Sequence, residues 1–274
     1  MVQTTNNIDN NTLYTLSIQV SLNGLSFCTA NAEQEITALA YENFGVQLTP
    51  EQVLEKIKYV LDHNPDLKHD FSTIEVIYQS ELYTFVPKAL FDENHLKEYL
   101  NYNVRVLATD FIAYDELSQH EIITVYIPYT NINNFFFDTF GSFTYKHSAT
   151  ILLDSLLAQQ KNNEQTTIFA NINSKSLDLI VIKKGKFILG NTYPYDTKED
   201  FLYYLMFVAE QLELNPEEFK LVFLGDIAKD SEFCKIAYTY IRNVDFGKRG
   251  KEIIVSKEVK SFEPHEHFVL LSHF

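Results

Sequence analysis

The sequence predicts an α/β protein of two lobes, each a mixed sheet flanked by helices. Three observations carry that reading. Thr15 to Phe27 and Thr166 to Ile182 each run as an alternating strand, a tight polar turn and a return strand. Each is followed by the same succession: a third strand, a capped helix, and a short apolar strand leading to another helix. Between them, Lys161-Asn162-Asn163-Glu164-Gln165 is the most linker-like internal stretch, and it sets the lobes at residues 1–161 and 165–274.

The elements follow in order. Residues 1–11 are rich in Asn and Thr and are expected to fray. Tyr14, Leu16, Ile18, Val20 and Leu22 alternate with polar residues, a period of two that lays one face on a core. Asn23-Gly24 suits a two-residue hairpin turn with positive φ, and Leu25 to Ala30 returns. A third strand is expected near Ile36 to Tyr41. Thr49-Pro50-Glu51-Gln52 reads as a capping box with proline in the first turn, opening a helix over 50–63 that Asn64-Pro65 stops. Strands are expected at Thr73–Gln79 and Glu81–Val86, a helix at Glu93–Leu100, and strands at Val104–Ala113 and Glu121–Pro128. Asn131 to Phe140 reads as a helix and Ser142 to Lys146 as a strand. Ser148 is placed as the cap of a helix carrying Ile151, Leu152, Ser155, Leu156 and Gln159.

In the second half, strands are expected at 166–173, 176–183 and 186–193, with Lys184-Gly185 as a turn. Asp196, with Glu199 as its partner, is expected to cap a long helix that buries Phe201, Leu202, Leu205, Val208, Ala209 and Leu212. Asn215-Pro216 starts a short helical turn. A strand at Phe219–Leu224, a turn at Gly225-Asp226 and a helix over 231–242 follow.

Composition bounds what this fold can do. Of 274 residues, 46% are hydrophobic, with 22 Phe, 17 Tyr and no Trp, which is the make-up of a packed globular chain. A net charge of −15 argues against nucleic-acid binding, which needs cations to replace counterions along the phosphates, and against an acidic membrane surface. Cys28 and Cys234 are too isolated for a disulfide framework or a CxxC metal site and are expected to be buried thiols. The start has neither a basic nor an apolar segment of a signal peptide, so a cytoplasmic protein is expected.

Strand, strand, strand, helix, strand, helix is the order of a ribonuclease H-like unit, and two such units make the actin-like ATPase fold. The chain resembles that superfamily at matching places. Its hairpins fall where the two phosphate loops lie, residues 148–160 where the connecting helix lies, and Leu224-Gly225-Asp226 near the adenosine loop. By length and order of elements it is most similar to an uncharacterised bacterial family with the duplicated fold, distantly similar to actin-like pilus-assembly and type II secretion proteins.

The resemblance implies a nucleotide cleft, and the residues depart from it. Phosphate loops of the superfamily end a strand with Asp, a spacer and Gly. The carboxylate organises Mg²⁺ and its water, and the glycine lets backbone N–H groups approach the phosphate. Here the first loop reads Gln19-Val20-Ser21 and the second Asn171-Ile172-Asn173-Ser174-Lys175-Ser176. Both carboxylates and both glycines are absent. Gly225 is kept in the adenosine loop, while Asp226 puts a negative charge where a second glycine stands.

The candidate cleft positions are therefore Gln19, Ser21, Asn171, Asn173, Ser174, Ser176, Gly225 and Asp226. They predict a non-catalytic binding or scaffold protein with no cofactor, acting through an unidentified protein partner or a second copy of itself. The alternative is a divergent ATPase or small-molecule kinase that binds Mg-ATP with amides in place of carboxylates.

The remaining constellations are weaker. Glu263, His265, Glu266, His267 and His273 are metal-capable but read as a solvated tail. Lys248-Arg249-Gly250-Lys251 reads as a turn. Asp110 and Asp138 read as ordinary exposed acids. No GxSxG, HExxH, P-loop or GxGxxG string occurs. Phe135–Phe137 with Phe140 and Phe143, and Tyr203-Tyr204 with Phe207, exceed what one helical stripe buries. Their rings serve either core packing or an interaction surface.

Overall fold

The computed structural model describes residues 14–250 and 253–273; the expected fraying of residues 1–11 lies outside the described residues. In the first lobe, β1 (Tyr14–Val20), β2 (Gly24–Ala30) and β3 (Ile36–Asn43) form an antiparallel meander, and β4 (Phe71–Tyr78) pairs parallel with β1. An inserted three-stranded sheet follows, built from β5 (Tyr83–Pro87), β6 (Ala113–Leu117) and β7 (Ile122–Tyr126) in the order β5-β7-β6, with the short helix α2 (Leu96–Leu100) against it. The main sheet closes with β8 (Thr144–His147), giving the order β3-β2-β1-β4-β8.

The second lobe repeats this arrangement with β9 (Thr167–Ile172), β10 (Ser176–Lys183), β11 (Lys186–Pro194), β12 (Lys220–Gly225) and β13 (Asn243–Phe246) in the order β11-β10-β9-β12-β13. Both sheets join an antiparallel meander to two parallel strands through helical crossovers, so the same hand and the same loop positions recur.

Periodicity explains the layers. Leu16, Ile18 and Val20 lie on one face of β1 against Val53 and Ile57 of α1 (Pro50–His63) and Ile132 and Phe136 of α3 (Thr130–Phe140). Phe201, Leu205 and Val208 of α5 (Lys198–Gln211) and Cys234 and Ala237 of α6 (Glu232–Tyr240) cover the equivalent face of the second sheet. Each fully buried aliphatic side chain contributes about 1.5–3 kcal/mol relative to exposure.

The opposite faces of both sheets converge on a shared apolar layer. Cys28, Ala30 and Ile77 from the first sheet and Phe169, Ile180, Val222 and Leu224 from the second meet there. Between them lie α4 (Ser148–Gln160) and α7 (Phe268–Leu271). Because α4 contacts both lobes, it is apolar around most of its circumference, as expected of a buried helix rather than an amphipathic one.

Five expectations are corrected. The β1–β2 turn is not a positive-φ Asn-Gly pair. Ser21 organises it, with its Oγ accepting from the N–H groups of Asn23 (3.2 Å) and Gly24 (2.9 Å). The cap of α4 is His147, whose Nδ1 accepts from the Ala149 N–H, and burial holds its pKa down to about 3, so the ring stays neutral and able to accept. The cap of α5 is Thr197 with Asp200, one residue beyond the expected pair. Val104 to Ile112 form no strand: no neighbour offers a ladder there, and Asp110 Oδ2 accepts from the Leu107 N–H to make a turn, leaving Val104, Val106 and Ile112 to pack beneath the inserted sheet. The helix expected over about 231–242 is present, but it is followed by a strand, β13, where none was expected.

The C-terminal segment is also not a solvated tail. His265 is buried, with Nε2 2.8 Å from the Ile227 carbonyl oxygen, and Phe268 to Leu271 are buried throughout. His273 Nε2 lies 2.6 Å from Ser17 Oγ on the inner face of β1. Burial on this scale makes α7 a structural wedge. Leu270→Ala is expected to cost about 2–5 kcal/mol in urea unfolding, whereas Leu90→Ala, at a position 71% exposed, should change stability by about 0.5 kcal/mol or less.

Candidate functional site: the cleft between the lobes

The two hairpins end in loops of the same geometry. Ser21–Gly24 is closed by a hydrogen bond from the Ser21 N–H to the Gly24 carbonyl (3.0 Å), and Asn173–Ser176 by one from the Asn173 N–H to the Ser176 carbonyl (2.9 Å). The register matches on either side: Gln19 pairs with Ser26 across β1–β2, and Asn171 with Asp178 across β9–β10. The parallel strands end alike too, since the Gln79 N–H donates to the Val20 carbonyl (2.9 Å) and the Asp226 N–H to the Ile172 carbonyl (2.8 Å). The two loops share backbone geometry while their residues differ.

All eight candidate residues, Gln19, Ser21, Asn171, Asn173, Ser174, Ser176, Gly225 and Asp226, line one cavity of about 520 Å³ between the lobes. Residues from the C-terminal segment, including Lys260, His267 and Phe268, form part of its wall. Asn23 lines it as well, and its Oδ1 is a buried acceptor with no hydrogen-bond partner among the described residues.

The residue that sequence reasoning missed is Asp178. It sits on β10, opposite Asn171, and lines the cavity from the return strand rather than from the loop. Its Oδ1 accepts from Thr192 Oγ1 (2.7 Å), and its Oδ2 accepts from Asn171 Nδ2 and Asn173 Nδ2 (both 2.9 Å). Burial raises its pKa, while these three hydrogen bonds oppose the rise. The available signal was a lone acid within the apolar run Leu177 to Ile182. The inserted sheet buttresses the same cluster: the Tyr83 hydroxyl lies 3.1 Å from Thr192 Oγ1, and Phe85 packs edge-on against Phe187 at 5.0 Å.

Gly225 has a structural reason to be glycine. Its φ is +82°, and a Cβ there would lie 2.2 Å from the Ile172 carbonyl oxygen and 2.8 Å from Asn171 Oδ1. What demands the missing side chain is the neighbouring strand. Asp226 is exposed on the cavity rim, and after burial it is the next cause that raises the pKa values of Tyr41 and Tyr195. The Tyr195 hydroxyl donates to the Asn173 carbonyl and pins the second loop.

The cavity's charge is lopsided. Asp178, Asp226, Glu81 and Glu266 line it against Lys175 and Lys260, and Lys175 is paired with Asp196 at 2.8 Å. Among the described residues, no group of three or more His, Cys, Asp or Glu side chains is placed to hold a metal ion. Asp110 and Asp138 do not line the cavity. No helix among the described residues is long and apolar enough to cross a membrane.

Two sheets of one topology, packed about a shared helical layer with paired hairpin loops facing a common cleft, define the actin-like ATPase fold. A protein of Bacteroides thetaiotaomicron described as having that fold and unknown function superposes with a TM-score of 0.78 at 19% identity, covering 88% of this chain and 93% of that one. The structure of the PilM-PilN type IV pilus biogenesis complex matches with a TM-score of 0.61 at 13% identity, over 94% of this chain and 96% of the matched one. The chain belongs to the family described as "Protein of unknown function (DUF3822)", whose sequence pattern matches residues 3–244. No curated protein sequence matches this chain.

Two variants test this geometry. Gly225→Ala is expected to lower stability by about 2–4 kcal/mol, because both the positive φ and the strand contact oppose a side chain. Asp178 has a raised folded pKa, so the stability it contributes is full below its unfolded value near ~3.9 and is lost as pH rises through the folded value. The unfolding free energy of Asp178→Asn, relative to the unsubstituted chain, should therefore increase as pH is raised from about 4 to 7. Urea titrations across that range check it.

Proposed function

We propose that this protein is a non-catalytic, cytoplasmic member of the actin-like fold that works as a binding or scaffold module through a protein partner. Its lobes are taken as residues 1–161 and 165–274. The observation that carries the reading is Asp178: the carboxylate nearest the second loop has both oxygens committed to protein donors, and no other acid joins it to form a metal site among the described residues.

Phosphoryl transfer relies on positioning and on metal electrostatics. A cleft that offers amides and hydroxyls at its loop ends, with more acids than unpaired cations around them, supplies neither and repels a polyphosphate. The backbone frame of the cleft persists because it belongs to the sheets, and Gly225 persists because of Ile172.

Partner binding is supported by the similarity to a structure described as a complex of two pilus-biogenesis proteins. It is supported also by large exposed rings such as Tyr102, Phe137 and Tyr203, whose burial would stabilise an interface. The free, buried thiols Cys28 and Cys234 suit a reducing compartment. The acidic balance disfavours nucleic acid as the partner.

Thermal unfolding with nucleotides tests the reading. A Mg-ATP site with a dissociation constant near ~10 μM would stabilise the fold by about 2.7 kcal/mol at ~1 mM ligand, a shift of several degrees for a chain of this size. No shift with ATP, ADP or GTP, and no phosphate release, is expected. A magnesium-dependent shift lost in Asn171→Ala would overturn this reading, and phosphate release beside it would favour the divergent ATPase or kinase.

A further inference from the structure

We infer that the outer groove between α5 and α6 is a docking site for a basic amphipathic helix of a partner protein. This rests on the binding-module reading only in supplying that module's partner. The groove shares no lining residue with the inter-lobe cavity.

The groove has a volume of about 500 Å³. Its floor is Leu202, Met206 and Ile236, half-buried side chains that reach into the second lobe's core. Aromatic rings stand above it: Tyr203 is 63% exposed, Phe207 42% and Tyr240 53%. Tyr203 and Phe207, one turn apart, stack at 6.1 Å with an interplanar angle of 18°, so the rings hold each other in place before anything binds. Tyrosine and phenylalanine already ordered on a helix lose little conformational entropy on docking, and such rings dominate interface energetics.

Charge selects the occupant. Glu199 and Glu210 line the groove from α5, three helical turns apart, about 16 Å along the axis. Neither has an ion-pair partner among the described residues, whereas the cations of these two helices, Lys198 and Lys235, are both taken by Glu232, at 3.0 and 2.7 Å. A second copy docked here would bring glutamates toward glutamates in a chain of net charge −15. A helix bearing an apolar stripe, with Lys or Arg about three turns apart beside it, fills the floor and neutralises both carboxylates.

A display library of helical peptides, unbiased in charge, is selected against the intact chain. Enriched peptides are then synthesised and titrated by fluorescence anisotropy. Enriched sequences are expected to pair an apolar stripe with Lys or Arg, to bind at least about tenfold more weakly to Phe207→Ala, and to weaken with salt. The double variant Glu199→Lys/Glu210→Lys, which alters only exposed positions, should lose them and select acidic peptides instead. Circular dichroism verifies that each variant is folded.

No enrichment, enrichment without basic residues, or affinity indifferent to both variants overturns the proposal. Sedimentation showing a dimer that Phe207→Ala dissociates also overturns it, by giving this face to a second copy. Nucleotide hydrolysis would refute the non-catalytic reading while leaving these titrations unchanged, so the two failures are distinguishable.

Discussion

Leu152, Leu153 and Leu156 of α4 and Phe268 to Leu271 of α7 are buried against side chains from both sheets, and the rest of the structure depends on that shared apolar layer. Neither sheet can cover its inner face alone, because its own outer helices are used on the opposite side. Burying both inner faces on the same two helices fixes the distance between the hairpin loops. The cavity is thus a by-product of core packing: its hairpin loops are held by strand register, and its width is set by the apolar layer beneath, of which Phe268 also forms part of the wall. Where packing fixes a frame, loop side chains can change their chemistry without changing their positions.

The first and second loops illustrate this separation. Gln19 with Ser26 and Asn171 with Asp178 occupy the same register positions in the two lobes, yet one pair is neutral and the other contains an acid. Asp178 is tolerated in an otherwise apolar strand because Thr192, Asn171 and Asn173 donate to it. A buried carboxylate without those donors would be far more costly. Asn171, where the resemblance leads one to expect a metal-organising acid, and Asn173, where it leads one to expect glycine, both donate to a carboxylate on the next strand.

Much of the fold was legible in the sequence because period-two alternation and capping residues are local signals. The meanders of both lobes, the Thr49–Gln52 capping box and the stop at Asn64-Pro65 all follow from residues within a few positions of one another. What escaped depends on distant contacts. Val104 to Ile112 carry strand-like residues but have no ladder to join, and β13 is short and polar enough to exist only because β12 lies beside it. His147 displaces Ser148 as a cap because its ring is buried and neutral, a property set by packing. The candidate cleft residues were legible by position, since they follow strand ends; Asp178 was not, since its place opposite Asn171 requires the hairpin register. The tail's histidines read as solvated because nothing within the segment announces the sheet against which it packs.

That wedge-like segment has a consequence for how the chain folds. The inner face of β1 and β2 is covered by α4 together with residues 268–271, which are distant from both strands in sequence. The first lobe therefore reaches its final packing only in contact with a segment that follows the second lobe in the chain. Closing that layer requires contacts between α7 and β1 and β2 across most of the chain, so by loop-closure entropy it forms later than the local contacts of either hairpin.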